Sequence, residues 1–321
     1  MKQQKAHHLK LDCFIFIFLS CLSLFLFFSV GKTQEQDSTN LESTYGNIRY
    51  GPHERNVLDL WKANSEEPTP LVMFIHGGGF RSGSKENISA LELREFLNSG
   101  ISVASINYRL IPNDPLPAAF HDGRQALQFL RSKAKEWNLD KSKVGCFGGS
   151  AGAVVSMYLA FHDDMAVLES EDPIERESTR LTCVASLNGP TTMDMNWMKK
   201  WIPGSSSLLE NDPYYNKDAL FAMFNAKTME EYNKVVQETT ALFLITPDDP
   251  PIFMEYRMAP DESFPDNPQL VRGWIVHHVM FGVKLKEKMD KFGIEAALNY
   301  PGASTKYTGF IQFFKIKFGK E

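Results

Sequence analysis

Apolar positions along the chain alternate between two spacings. Short apolar runs of strand length appear at "VLDLW" (57–61), which alternates like an edge strand, and at "PLVMFIHGGGF" (70–80), which runs into a glycine turn. They recur at "ISVASINYRL" (101–110), "KVGCFGG" (143–149), "CVASLNGP" (183–190), "DDPPIFMEYR" (248–257) and "IEAALNY" (294–300). Between them lie helical spacings: Phe120, Leu127 and Leu130 within 117–137, the segment "SAGAVVSMYLAFH" (150–162), and the amphipathic "FGVKLKEKMDKFG" (281–293). Parallel strands need crossovers of this length, so the order predicts an α/β protein with a doubly wound, mostly parallel sheet. Residues 191–245 break the alternation with aromatic, amphipathic helical pieces and no strand, which predicts a helical cap inserted into one domain spanning 44–321.

The start of the chain follows another pattern. Lys2, Lys5 and Lys10 precede an uncharged run from Cys13 to Val30, rich in Phe and Leu, with small Ser29 and Gly31 after it. Residues 1–31 therefore read as a secretory signal peptide, or, at this length, as a membrane anchor if uncleaved. Polar residues 32–43 read as a flexible tether. The expected location is outside the cytoplasm, periplasmic or extracellular, with any membrane contact made through the N-terminal segment alone. The net charge of −5, with no basic block, argues against nucleic acid as a partner. Beyond the leader only Cys146 and Cys183 remain, both in strand-like runs, and two buried thiols are expected rather than a disulfide. No ligand spacing points to a metal.

The candidate chemistry centres on "GGSAG" (148–152), a G-x-S-x-G at a strand end and helix start. A serine in so tight a turn has strained backbone angles, and a neighbouring Cβ would strike the adjoining strand and helix. Ser150 is the candidate nucleophile; helix capping would leave the same bare pattern. The earlier "HGGGF" (76–80) supplies consecutive glycines whose N–H groups can converge on one spot. Gly77, Gly78 and the N–H of Ala151 are the candidate oxyanion hole. His76 is expected to brace that loop.

Taken together, "HGGGFRSGSKE", "VASINYRL", "PLPAAFHDGRQALQFLR" and "GGSAG" resemble the α/β-hydrolase fold, specifically esterases and lipases of the hormone-sensitive-lipase type near the bacterial acetyl- and feruloyl-esterase branch. The resemblance covers residues 45–300 and is most specific up to Pro190. It implies acyl-ester hydrolysis without a cofactor, with Ser150 as nucleophile. Two departures stand out. The glycine turn that delivers the family's acid is missing, leaving Asp261 as the nearest match and Glu255 and Asp266 as rivals. After the last strand the family places a histidine, whereas this chain reads "YPGASTKYTGF" (300–310), with Ser304 and Thr305 at the expected place. Neither serves as a base near neutral pH. The histidines that follow the acid loop are His277 and His278, with His278 preferred as the base. If the stretch is helical, His278 shares a face with Trp274, Phe281 and Leu285, which is equally the setting of a buried core histidine.

Two readings follow. The first is an exported serine-dependent carboxylic-ester hydrolase acting on acyl or aromatic esters, including esters on carbohydrates, in an aromatic pocket walled by Trp197, Trp201 and Phe221. The second is a hydrolase-fold binding protein that has lost its base, supported by the missing histidine after the last strand.

Overall fold

The computed structural model describes residues 41–303 and 305–320; the leader, the tether up to residue 40, and Ser304 lie outside the described residues. Eight strands form one sheet in the order β1 (Tyr45–Arg49), β2 (Val57–Trp61), β4 (Ser102–Ile106), β3 (Thr69–Ile75), β5 (Leu139–Gly149), β6 (Cys183–Leu187), β7 (Ile252–Glu255) and β8 (Ala296–Asn299). From β4 to β8 every pairing is parallel, and β1 and β2 add an antiparallel edge. The "VLDLW" strand is therefore second from the edge. β1 covers it, and its half-exposed "YGNIR" has too little alternation to announce a strand. The end of the tether is also tied down, since Trp61 Nε1 donates to the Leu41 carbonyl (2.8 Å).

Central strands of a parallel sheet are covered on both faces, which is why β3 and β4 are buried at every residue and read as continuous apolar runs. Alternate residues divide between two cores. Leu71, Met73, Ile75, Cys146 and Met254 face a core shared with α2 (Pro117–Ser132), α4 (Ala151–Phe161) and the cap. Val72, Phe74, Phe147 and Phe253 face α1 (Ala90–Asn98) and the C-terminal Phe310–Phe318 helix, whose Phe313 and Phe314 are fully buried. The short α3 (Ala134–Trp137) follows α2. Cys146 and Cys183 are buried free thiols, one on each side of the sheet.

Between β6 and β7 come five helices and no strand: α5 (Met195–Trp201), α6 (Ser205–Asn211), α7 (Lys217–Met223), α8 (Met229–Thr239) and α9 (Ala241–Leu244). Asp194, Asn216 and Thr228 accept first-turn N–H groups at the starts of α5, α7 and α8, which sets where these short helices begin. The cap is bonded to the body where Leu116 N–H donates to the Met223 carbonyl (2.8 Å). After β7, α10 (Pro268–Val276), α11 (Met280–Lys291), β8 and α12 (Phe310–Phe318) complete the chain. Among the described residues no helix is long and apolar enough to cross a membrane.

Candidate active site

Ser150 sits between β5 and α4 with φ 51° and ψ −117°, a backbone state that a non-glycine residue adopts only when its surroundings impose it. The surroundings do so from both sides. Its N–H donates to the Leu187 carbonyl at the end of β6 (2.9 Å), and its own carbonyl accepts from Val154 in α4 (3.2 Å). At Gly152 a Cβ would lie 1.9 Å from the Ile75 carbonyl oxygen, so only glycine lets α4 start this close to β3. The turn holds the Ser150 side chain above the C-terminal ends of the strands, where an open α/β sheet gathers its ligands.

The glycine loop after β3 presses against this turn. A Cβ on Gly77 would come 3.7 Å from Ser150 Cβ and 2.8 Å from the Gly149 carbonyl oxygen. Gly78 has φ +107°, and a Cβ there would meet the Ser82 carbonyl oxygen at 2.2 Å. Among the described residues the N–H groups of Gly77 and Gly78 make no hydrogen bond. The Ala151 N–H, at the first position of α4, has no intrahelical acceptor. His76 is buried in the frame of the loop: it stacks on Tyr108 (4.2 Å between centroids), and its Nδ1–H donates to the Gly77 carbonyl (2.8 Å). Arg55 braces the same loop by donating to the Gly83 carbonyl (2.9 Å) and the Tyr108 carbonyl (2.7 Å). Burial lowers the His76 pKa to about 4, so the ring is neutral and acts as part of the scaffold.

Of the pair that the chain order singles out, the member that reaches the serine is the other one. His277 Nε2 lies 2.9 Å from Ser150 Oγ. His278, the preferred candidate, does not reach Ser150: it is 1% exposed, stacked edge-on against Trp274 (4.5 Å), and its Nδ1 accepts the Met280 N–H (3.2 Å). The reason is a break in the helix. α10 ends at Val276 and α11 begins at Met280, with His277 as the cap residue of α10 at φ −114°. The turn sends successive side chains in opposite directions, one to the serine and one into the core.

Among the described residues no carboxylate is hydrogen-bonded to His277 or His278. Asp261 is exposed and has no hydrogen bond or ion pair to either histidine, and Asp266 is likewise exposed. Glu255, at the end of β7, accepts from Asn299 Nδ2 (3.3 Å). The hydrogen bond of the His277 ring is the one to Ser150 Oγ, while its backbone N–H donates to the Gly273 carbonyl (3.1 Å). Burial holds the His277 pKa below the ordinary histidine value; the Gly273 carbonyl opposes this and the Arg257 charge reinforces it. A neutral imidazole on a serine hydroxyl, beside free N–H groups, is an arrangement that can take the serine's proton as it attacks an acyl carbon.

Two spaces meet at Ser150. One is an open cleft of about 620 Å³ that also touches Gly77, Glu92, Arg257 and His277. The other is a cavity of about 20 Å³ under the cap, lined by Phe80, Met193, Met198, Tyr215 and Phe281. Of the three aromatic residues expected to wall the pocket, none lines it. Trp197 stacks on Phe281 from behind (5.2 Å), Trp201 lies under Lys284 (3.9 Å), and Phe221 packs on Tyr232 (5.7 Å). Among the described residues no group of three or more acidic, histidine or cysteine side chains is placed to hold a metal.

An eight-stranded, mostly parallel sheet with a serine on a strained strand-to-helix turn, a facing glycine loop and a histidine brought to the serine define the α/β-hydrolase class. Comparison with known proteins agrees. The BD-FAE family model matches residues 58–267, more than half of the chain, and the chain belongs to that family. Over 107 residues it is 39% identical to a protein of Arabidopsis thaliana named probable carboxylesterase 6, covering 30% of this chain and 31% of that one. Over 104 residues it is 30% identical to carboxylesterase NlhH of Mycobacterium tuberculosis, covering 32% and 33%. These matches span about a third of the relatives' length. Among solved structures, a truncated carbohydrate esterase from gut microbiota superposes with TM-score 0.66 at 21% identity, covering 87% of this chain and 99% of that one. A butyrate-bound thermophilic esterase from the Planctomycetes species Thermogutta terrifontis superposes with TM-score 0.54 at 18% identity, covering 76% and 77%.

Proposed function

We propose that the protein is an exported carboxylic-ester hydrolase in which Ser150 and His277 form the reacting pair. The observation that carries this reading is the 2.9 Å contact between His277 Nε2 and Ser150 Oγ on the strained turn. His277 takes the serine proton as Oγ attacks the acyl carbon. The oxyanion that forms is met by the N–H groups of Gly77, Gly78 and Ala151. The ring then returns the proton to the departing alcohol oxygen, and water repeats the cycle on the acyl-serine. The relatives named as carboxylesterases and the structural neighbour named as a carbohydrate esterase support acyl esters, including those of carbohydrates, as substrates. The basic start and the apolar run from Cys13 to Val30 support export. The ground for a base-less binding protein was the missing histidine after β8, and His277 supplies one by another route.

Ser150→Ala tests the reading. Loss of a nucleophile that works with its base costs several orders of magnitude in turnover, so the variant is expected to be inactive on 4-nitrophenyl acetate with an unchanged thermal midpoint. Equal activity in the two proteins would remove Ser150 from the chemistry.

A further inference from the structure

Two residues beyond β7, Arg257 borders the cleft that contains Ser150 and His277. Its backbone is fixed to the frame of the nucleophile. The Leu187 carbonyl at the end of β6 accepts the Ser150 N–H (2.9 Å), and the next residue, Asn188, accepts the Arg257 N–H on its Oδ1 (3.2 Å) while donating its own N–H to the Glu255 carbonyl (2.7 Å). Tyr256 and Met258, on either side in the chain, are buried, and the Tyr256 hydroxyl donates to the Gly189 carbonyl (2.6 Å). The head of this anchored side chain is left over. Arg257 is exposed, and among the described residues its guanidinium has no hydrogen bond, ion pair or ring contact. It lies close enough to His277 for its charge to disfavour the protonated ring.

That charge has the wrong sign for the reaction. As Ser150 attacks, His277 becomes an imidazolium, which a neighbouring negative charge stabilises and a positive one opposes. Among the described residues no carboxylate is hydrogen-bonded to the ring to offset it. Resting on the ester-hydrolase reading, we propose that Arg257 binds a carboxylate carried by the substrate, so that the protein selects anionic esters and the bound anion cancels the charge that opposes the base. A planar guanidinium with two parallel N–H groups is matched to a carboxylate. Glu92 is the other ionisable side chain of the cleft besides His277. Burial and the charges of Glu255 and Glu95 move it towards its protonated form, which weakens its repulsion of an anion. The remaining polar side chains of the wall, Asn87, Ser89 and Asn188, are neutral. A neutral ester leaves the guanidinium to water and the base opposed.

Pairs of esters that differ by one charge test the proposal. The 3- and 4-acetoxybenzoates are compared with the corresponding acetoxybenzamides, and mono(4-nitrophenyl) terephthalate with 4-nitrophenyl terephthalamate, so that the carboxylate is offered on either part of the ester. For at least one pair the ratio of kcat/KM, carboxylate over amide, is expected to fall by about fivefold or more in Arg257→Gln and further in Arg257→Glu, with part of it kept in Arg257→Lys. The wild-type ratio for that pair should also fall as NaCl is raised from about 20 to about 500 mM, because salt screens an exposed charge pair. The salt series uses the wild type alone, so it decides the matter even if the variants fold poorly. Ratios that move neither with salt nor with any of the three substitutions, while Ser150→Ala is inactive on every ester, would overturn the anion assignment and leave the hydrolase reading standing. A wild type that cleaves neither member of any pair would remove both.

Discussion

Removing the imidazole at 277 takes away the ring within reach of Ser150 Oγ, whereas removing its neighbour empties a place in the core. The two alanine variants should fail in opposite ways. His277→Ala is expected to lose roughly three orders of magnitude or more in kcat with little change in thermal midpoint. His278→Ala leaves a cavity against Trp274, should lose on the order of 2 kcal/mol or more of stability, and should keep most of its turnover at a temperature where it is folded. Steady-state rates beside thermal melts check both, and a dead His278→Ala with an active His277→Ala would reverse the assignment. The carboxylate read from chain order does not meet either histidine, because Asp261 and Asp266 are exposed and Glu255 bonds Asn299, and chain order alone does not show where a loop side chain ends. The glycine loop was legible as a motif, yet Gly78 makes a poor target for substitution. With φ +107° and the Ser82 carbonyl in the way, any side chain there disturbs the loop as a whole.

At the scale of elements, the strands and crossovers follow from apolar runs, and the cap from their absence. What stayed hidden were β1, α1 and α10, each short and half-exposed. A signal for α10 was nevertheless present: Asn267 followed by Pro268 is an N-cap with proline at the first helical position, and a helix of 9 residues from there ends at Val276. Placing that end would have put a turn, and so a change of direction, between the two histidines. The same helix is tied to the rest of the site through its own Arg272. The Tyr214 ring, in the loop between α6 and α7, lies between the guanidinium groups of Arg272 (4.6 Å) and Arg81 (4.9 Å), and Arg272 also pairs with Asp212 (2.8 Å). One cap side chain thereby joins the helix that ends in His277 to the loop that follows the glycines. Each cation–ring contact at so exposed a place is worth about 0.5–1 kcal/mol. Tyr214→Ala is thus expected to leave the fold intact, lower kcat/KM a few-fold and speed amide hydrogen exchange in 202–245. Unchanged exchange and unchanged kinetics would show that the cap is held by its apolar contacts alone.

For the molecule as a whole, the placement of buried histidines predicts how stability responds to acid. His76 and His278 are each buried neutral with pKa lowered to about 4, His278 by burial alone, and burial also lowers His277 and His121. In the unfolded chain a histidine titrates near 6.5. As pH falls below that value the unfolded state takes up protons that the native state refuses, so stability present above about pH 6.5 is lost progressively towards pH 4. The raised carboxyls of Glu92 and Asp249 act with the opposite sign, since burial makes their protonated forms more compatible with the fold. The carboxylates of Glu86 and Glu295, held down to about 2 chiefly by Lys85 and, against burial, by Lys317 with Tyr307, are lost from the balance only at lower pH. The window between 6.5 and 4.5 therefore belongs mainly to the histidines. A shift of this size at one largely buried site corresponds to on the order of 2–3 kcal/mol. Urea midpoints measured across that window should fall with pH, and His278→Phe, which fills the same space with a group that cannot be protonated, should remove part of the slope. An equally steep slope in His278→Phe would mean that the ring gains its proton without unfolding, and that water reaches the buried Nε2.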